Sequence, residues 1–140
     1  MPRPSKHSRL QRSFFERPVL QVARQLIGCR LVHRRRGIEM TGRIVETEAY
    51  AGALDPSSHS FRGPTERCQT MFGPAGRAYV YFSYGNHYCM NVSADRQSLA
   101  AAVLIRALEP TDGVPAMRAQ RAVKTPSAQH AKRLRGGAAD

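Results

Sequence analysis

The sequence predicts an α+β fold in one mixed domain, and three observations carry that expectation. A helical repeat of Val19, Val22, Ala23, Leu26 and Ile27 lies near the N-terminus. Two β-rich runs within 78–92 are separated by Gly85-Asn86, a pair suited to the positive φ angles of a tight hairpin turn. Extended apolar runs over Ile38–Tyr50 and 100–108 supply further strands. A chain of 140 residues is enough for one domain with a modest core.

Taken in order, residues 1–12 form a basic arm with four basic and no acidic side chains, and ordered structure is expected from Ser13. Pro18 suits a first helical turn, and Gly28 is a natural stop for the helix that follows. Residues 29–33 and Ile38–Tyr50 read as a hairpin whose turn is the polar run Arg34-Arg35-Arg36-Gly37. From 51 to 76 the composition shifts to Gly, Pro, Ser and Arg, the signature of a loop with short helical turns, and a loop this long inside a domain points to function. It contains His59.

The second hairpin holds four of the five tyrosines, with Tyr79 and Tyr81 on one face and Tyr84 at the tip, where its own fold buries an aromatic poorly. A polar link over 93–98 leads to the strand at 100–108, interrupted by Arg106, which needs an anion; Glu48 or Glu46 can supply it. Glu109-Pro110-Thr111-Asp112 is expected to end this strand and cap a helix over 113–121, followed by a basic tail at 122–140.

Lys and Arg number 22 against 10 Asp and Glu, a net charge of +12 that favours a polyanionic partner, nucleic acid first. More than half of the excess sits on the two terminal segments. Three cysteines, Cys29, Cys68 and Cys89, are odd in number and lack C-x-x-C spacing, which argues against a disulfide framework and a zinc ribbon. The five histidines are scattered without H-E-x-x-H, and there is no P-loop or Gly-x-Gly-x-x-Gly, so no metal and no cofactor are expected. With no signal-type h-region and no long apolar run, the expectation is a cytoplasmic protein with no membrane partner.

The stretch Gly42-Arg43-Ile44-Val45-Glu46-Thr47-Glu48-Ala49-Tyr50 carries the chemistry. Alternation places Glu46, Glu48 and Tyr50 on one face, continuing from Ile44. A carboxylate in an apolar strand answers a cation, a hydrogen-bond network or a water that it activates. A basic surface, a protruding aromatic and such a carboxylate are the parts needed to extrude a nucleotide and hydrolyse its bond to the sugar. Tyr84 is the candidate wedge, Tyr50 and Tyr81 a candidate stacking sandwich, and Glu48 the candidate group that stabilises an oxocarbenium-like state and takes a proton from water.

Three segments resemble the alkyladenine (3-methyladenine, or methylpurine) DNA glycosylases: Gly42 to Tyr50, Tyr79-Val80-Tyr81 through Tyr84-Gly85 to Cys89-Met90-Asn91, and Leu104-Ile105-Arg106-Ala107-Leu108-Glu109-Pro110. The resemblance runs from about Phe14 to Arg121 and implies a curved antiparallel sheet with a protruding β-hairpin and flanking helices. It implies base-excision repair of duplex DNA by a monofunctional enzyme that removes alkylated purines such as 3-methyladenine and 7-methylguanine, and hypoxanthine as a further candidate; a monomer is expected. By the same resemblance Glu48 is the general base, Arg106 holds the water and the carboxylate, Tyr50, His59 and Tyr81 form the base pocket, Asn91 disfavours guanine's exocyclic amine, and Tyr84 intercalates. No catalytic role carries over to Glu46. Family members continue beyond the helix ending near Arg121, so the glycosylase domain expected at 13–121 is incomplete and the chain reads as truncated at its C-terminus. The alternatives are a non-catalytic DNA-binding relative and a fragment that does not fold alone.

Overall fold

The structure is a computed structural model and describes residues 8–63, 66, 69–83, 85, 87–96 and 99–122. Two short helices come first, α1 (Arg12–Phe15) and α2 (Val19–Leu26). The strands β1 (Arg30–Arg35) and β2 (Ile38–Tyr50) follow, then two 3-10 turns, Gly52–Leu54 and Gln69–Phe72. The hairpin strands β3 (Ala78–Ser83) and β4 (His87–Ala94) lead to the long β5 (Ala101–Asp112) and the helix α3 (Val114–Ala122). The five strands form one curled antiparallel sheet in the order β1-β2-β5-β4-β3, so the chain is a mixed α+β domain.

α2 is amphipathic, burying Val19, Val22, Ala23 and Leu26 while Leu20 stays exposed. Those residues pack on Ile44, Val92, Ala94, Ala101 and Val103, which form the main core. Each fully buried Val, Leu or Ile among them contributes about 1.5–3 kcal/mol. Pro18 precedes the helix and offers no side-chain cap, so the cap comes from the far end of β4: Asp95 Oδ2 accepts the amide of Val19 at 2.8 Å. The Asp95 amide in turn donates to the carbonyl of Phe15, also at 2.8 Å.

Three expectations about strand limits change. The first hairpin closes through the two residues Arg36-Gly37, both at positive φ (49° and 76°), while Arg34 and Arg35 belong to β1. Arg34 is held there by an ion pair with its cross-strand partner Glu39 at 2.6 Å. β4 runs on to Ala94, into the region expected as a polar link, because Ser93 and Ala94 pair with Ala102 and Ala101. β5 does not stop at Leu108 but continues to Asp112. Arg43 stands opposite Glu109 and donates to it at 2.8 Å, and Pro110 is accommodated opposite Gly42.

The face assignment along β2 also changes. The pairing passes from Ile44↔Leu108 to Glu46↔Ala107 and then to Thr47↔Ile105, leaving Val45 in one strand and Arg106 in the other without a ladder partner. Such an irregularity shifts the alternation by one residue. Ile44 therefore packs against α2, and so does Thr47, whose hydroxyl donates to the Ala23 carbonyl at 2.9 Å. Ile44 is not on the face of Glu48 and Tyr50, as simple alternation predicts. Val45 and Glu46 are both exposed.

Candidate active site

Beyond the irregularity, alternate residues of four strands line a cleft on the face away from α2, with a volume of about 780 Å³. β2 contributes Glu48 and Tyr50, β3 contributes Tyr79 and Tyr81, β4 contributes Asn91, and β5 contributes Arg106. His59 reaches it from the loop after β2. Every expected site residue except Tyr84 is thus brought to one cavity; Tyr84 lies outside the described residues.

The Glu48 carboxylate is engaged at both oxygens. The Tyr50 hydroxyl donates to Oε2 at 2.6 Å, and Arg106 Nε stands 3.5 Å from Oε1. Of the two carboxylates offered to Arg106 by the sequence, the structure selects Glu48. Both partners of that ion pair remain partly open, with side-chain exposures of 59% for Arg106 and 41% for Glu48, so solvent and ligand can reach it. The hydrogen bond to Glu48, helped by burial and by the negative charges nearby, pushes the Tyr50 phenol up to about 12. Tyr50 is therefore a neutral donor across the working pH range.

His59 is carried by a loop pinned to the start of β5. Ser60 is fully buried, donates to the Ala100 carbonyl at 2.8 Å and bonds the Ser58 hydroxyl at 2.9 Å. Gly52, at φ 67°, lies so close to this backbone that a Cβ would stand 1.8 Å from the Leu99 carbonyl oxygen. At the next bend Asp55 accepts the Ser57 hydroxyl and amide, bonds that hold its carboxyl below the ordinary range. The loop so fixed sets the His59 ring 4.6 Å from the Tyr81 ring, centroid to centroid, with Nδ1 3.2 Å from the Tyr79 hydroxyl.

Tyr79 and Tyr81 are themselves neighbours, their ring centroids 5.5 Å apart. Burial, followed by a hydrogen bond with Cys89 across the hairpin, pushes Tyr81 up to about 12. Asn91 is buried opposite Tyr79, and its amide donates to the Tyr79 carbonyl at 3.3 Å. The cavity is thus lined by aromatic rings, closed at its inner end by the buried Met71 and Ala102, and open where Glu48 and Arg106 meet.

Tyr79, given no site role by the sequence, turns its hydroxyl to His59. Sequence reasoning also passes over Ser83, His87 and Cys89, which line the same cleft. Their signal was present in the period-two alternation with Tyr79, Tyr81 and Asn91. Arg121, in the last turn of α3, lines the cleft from outside the sheet, a placement that alternation does not carry.

The sequence profile of the methylpurine-DNA glycosylase family matches residues 13–139. Among curated relatives, a protein of Alkaliphilus oremlandii provisionally named 3-methyladenine DNA glycosylase is 49% identical over 110 residues, 78% of this chain and 54% of that protein. A Myxococcus xanthus protein of the same provisional name is 53% identical over 106 residues, 76% of this chain and 55% of that protein. One from Methanoculleus marisnigri is 50% identical over 117 residues, covering 84% and 60% respectively. The chain spans little more than half the length of these curated relatives.

Proposed function

The chain belongs to the methylpurine-DNA glycosylase family, and from that premise we propose that it removes alkylated purines from duplex DNA by hydrolysing the N-glycosidic bond. The observation that carries this reading is Glu48, a strand carboxylate flanked by Tyr50 and Arg106 at the mouth of an aromatic-lined cleft. A cleft of about 780 Å³ falls within the usual range for small-molecule sites and accommodates a purine.

In the proposed reaction the damaged nucleotide leaves the base stack and its purine enters the cleft, between Tyr50 on one side and Tyr81 with His59 on the other. The electron-rich rings favour a cationic 3- or 7-alkylpurine over a neutral base. Asn91, fixed by its bond to the Tyr79 carbonyl, lines the wall and restricts exocyclic groups such as the guanine amine. A water at Glu48 gives up a proton to the carboxylate while its oxygen bonds to the sugar C1′. The bond from C1′ to the purine nitrogen breaks with its electron pair going to the base, so a cationic alkylpurine departs neutral and an abasic site remains. Arg106 holds the water and the carboxylate together, and Glu48 also offsets positive charge on the sugar. Tyr84, the candidate wedge of the sequence, fills the gap left in the stack.

The test is release of free 3-methyladenine and 7-methylguanine from methylated duplex DNA. The wild-type protein should release both, and Glu48→Gln should lower the single-turnover rate by about 10²–10⁴-fold with little change in DNA affinity. Equal release by E48Q removes Glu48 from the role of base. Tight, salt-dependent DNA binding with no release by the wild-type chain supports instead a non-catalytic binding module.

A further inference from the structure

We propose that the hydroxyl of Tyr50 is a positioning device for Glu48, committing one carboxylate oxygen so that the other, the oxygen beside Arg106, receives the proton of the attacking water. This inference rests on the glycosylase reading and adds to it a role separate from stacking. The geometry is specific to the two oxygens. Tyr50 donates to Oε2 at 2.6 Å, a short bond of the charge-assisted kind, while Oε1 faces Arg106 Nε at 3.5 Å. A carboxylate with both oxygens equally solvated rotates about its terminal bond and offers either oxygen to water. Here the donor on Oε2 comes from the same strand two residues along, on the same face, so the bond is closed by the local backbone and needs no distant element. The 3.5 Å separation on the other side is a loose contact, so a water beside the pair can bond Oε1 and the Arg106 guanidinium at once as a shared partner.

The ring and the hydroxyl of Tyr50 thus do separate jobs, and two substitutions separate them. Tyr50→Phe keeps the stacking ring and removes the donor, whereas Tyr50→Leu removes both. With methylated duplex DNA under single-turnover conditions, Y50F should lower the maximal rate about tenfold while leaving the half-saturating enzyme concentration unchanged. Y50L should lower the rate further and raise the half-saturating concentration as stacking is lost. A Y50F protein with the wild-type rate, or with a change only in half-saturation, overturns the positioning role. Absence of base release by the wild-type protein overturns the function itself, so the two failures are distinct results.

Discussion

The two faces of the sheet differ in how far polar contacts supplement apolar packing. On the α2 side, Ile44, Val92, Ala101 and Val103 meet Val19, Val22, Ala23 and Leu26, a closed apolar layer whose cohesion comes from removing hydrocarbon from water. On the cleft side β2, β3 and β4 present Glu48, Tyr50, Tyr79 and Asn91, whose polar groups find oxygen and nitrogen partners beside a smaller apolar cluster of Met71, Tyr79, Ala100 and Ala102, and the cleft is left open to solvent at the Glu48 and Arg106 end. Neighbours in sequence therefore answer to separate demands: Asn91 lines the cleft while Val92 packs in the core. The difference teaches that stability and chemistry are divided between the two faces of the sheet, and each should be removable without the other.

The largest expected effect is on the cleft side. E48Q, whose loss of base release is given above, should leave the melting temperature within a few degrees of wild type, since it replaces a partly exposed group by one of the same shape. A collapse of the fold in E48Q would break the division. The reciprocal change is Leu26→Ala, which truncates a side chain only 3% exposed and should destabilise by about 2–5 kcal/mol in denaturant unfolding. The single-turnover rate per folded molecule should survive; a rate loss that persists after correcting for the unfolded fraction would mean that the faces are coupled. Asp95→Ala removes the remote cap on Val19 and should cost about 0.5–2 kcal/mol by the same measurement.

The smallest effect is at alkaline pH. Tyr50 and Tyr81 are both pushed up to about 12 in the folded protein, whereas in the unfolded chain they ionise near the ordinary value of 10.0. A raised folded-state value means that their contribution to stability is complete below pH 10 and is lost as pH rises from there through 12. A melting series over that window should fall less steeply in the Y50F/Y81F double variant than in wild type, and L26A should keep the wild-type slope. Parallel curves for the double variant and wild type would remove these phenols from the stability of the cleft face.

Much of this arrangement is legible in the chain itself. The helical spacing of Val19, Val22, Ala23 and Leu26 marks α2, and alternation through Tyr79, Tyr81, Cys89 and Asn91 marks the cleft side of the second hairpin. Glu48, Tyr50 and Arg106 were readable because charged and phenolic groups inside apolar strands require partners. The phase of Ile44 was not readable, because the residues without ladder partners are a property of two strands together and leave no mark in either sequence. Nor was the cap on α2, whose donor and acceptor are 76 residues apart. The extension of β5 through Pro110 depends on Arg43 and Gly42 standing opposite, so local propensity alone stops the strand too early. His59 was singled out by loop composition, but its approach to Tyr79 depends on the buried Ser60 anchor.

The irregular pairing between β2 and β5 behaves like a compensated pair of insertions. The strands are in step at Ile44↔Leu108 and again in step at Thr47↔Ile105, because the surplus of Val45 on one side is matched by that of Arg106 on the other. Deleting either residue alone would throw all pairing beyond it out of register by one place, whereas deleting both would restore a regular ladder and take away the guanidinium that faces Glu48. Changes of length at this point therefore keep the sheet in register only in matched pairs, and every matched shortening that removes Arg106 also removes the ion pair with Glu48.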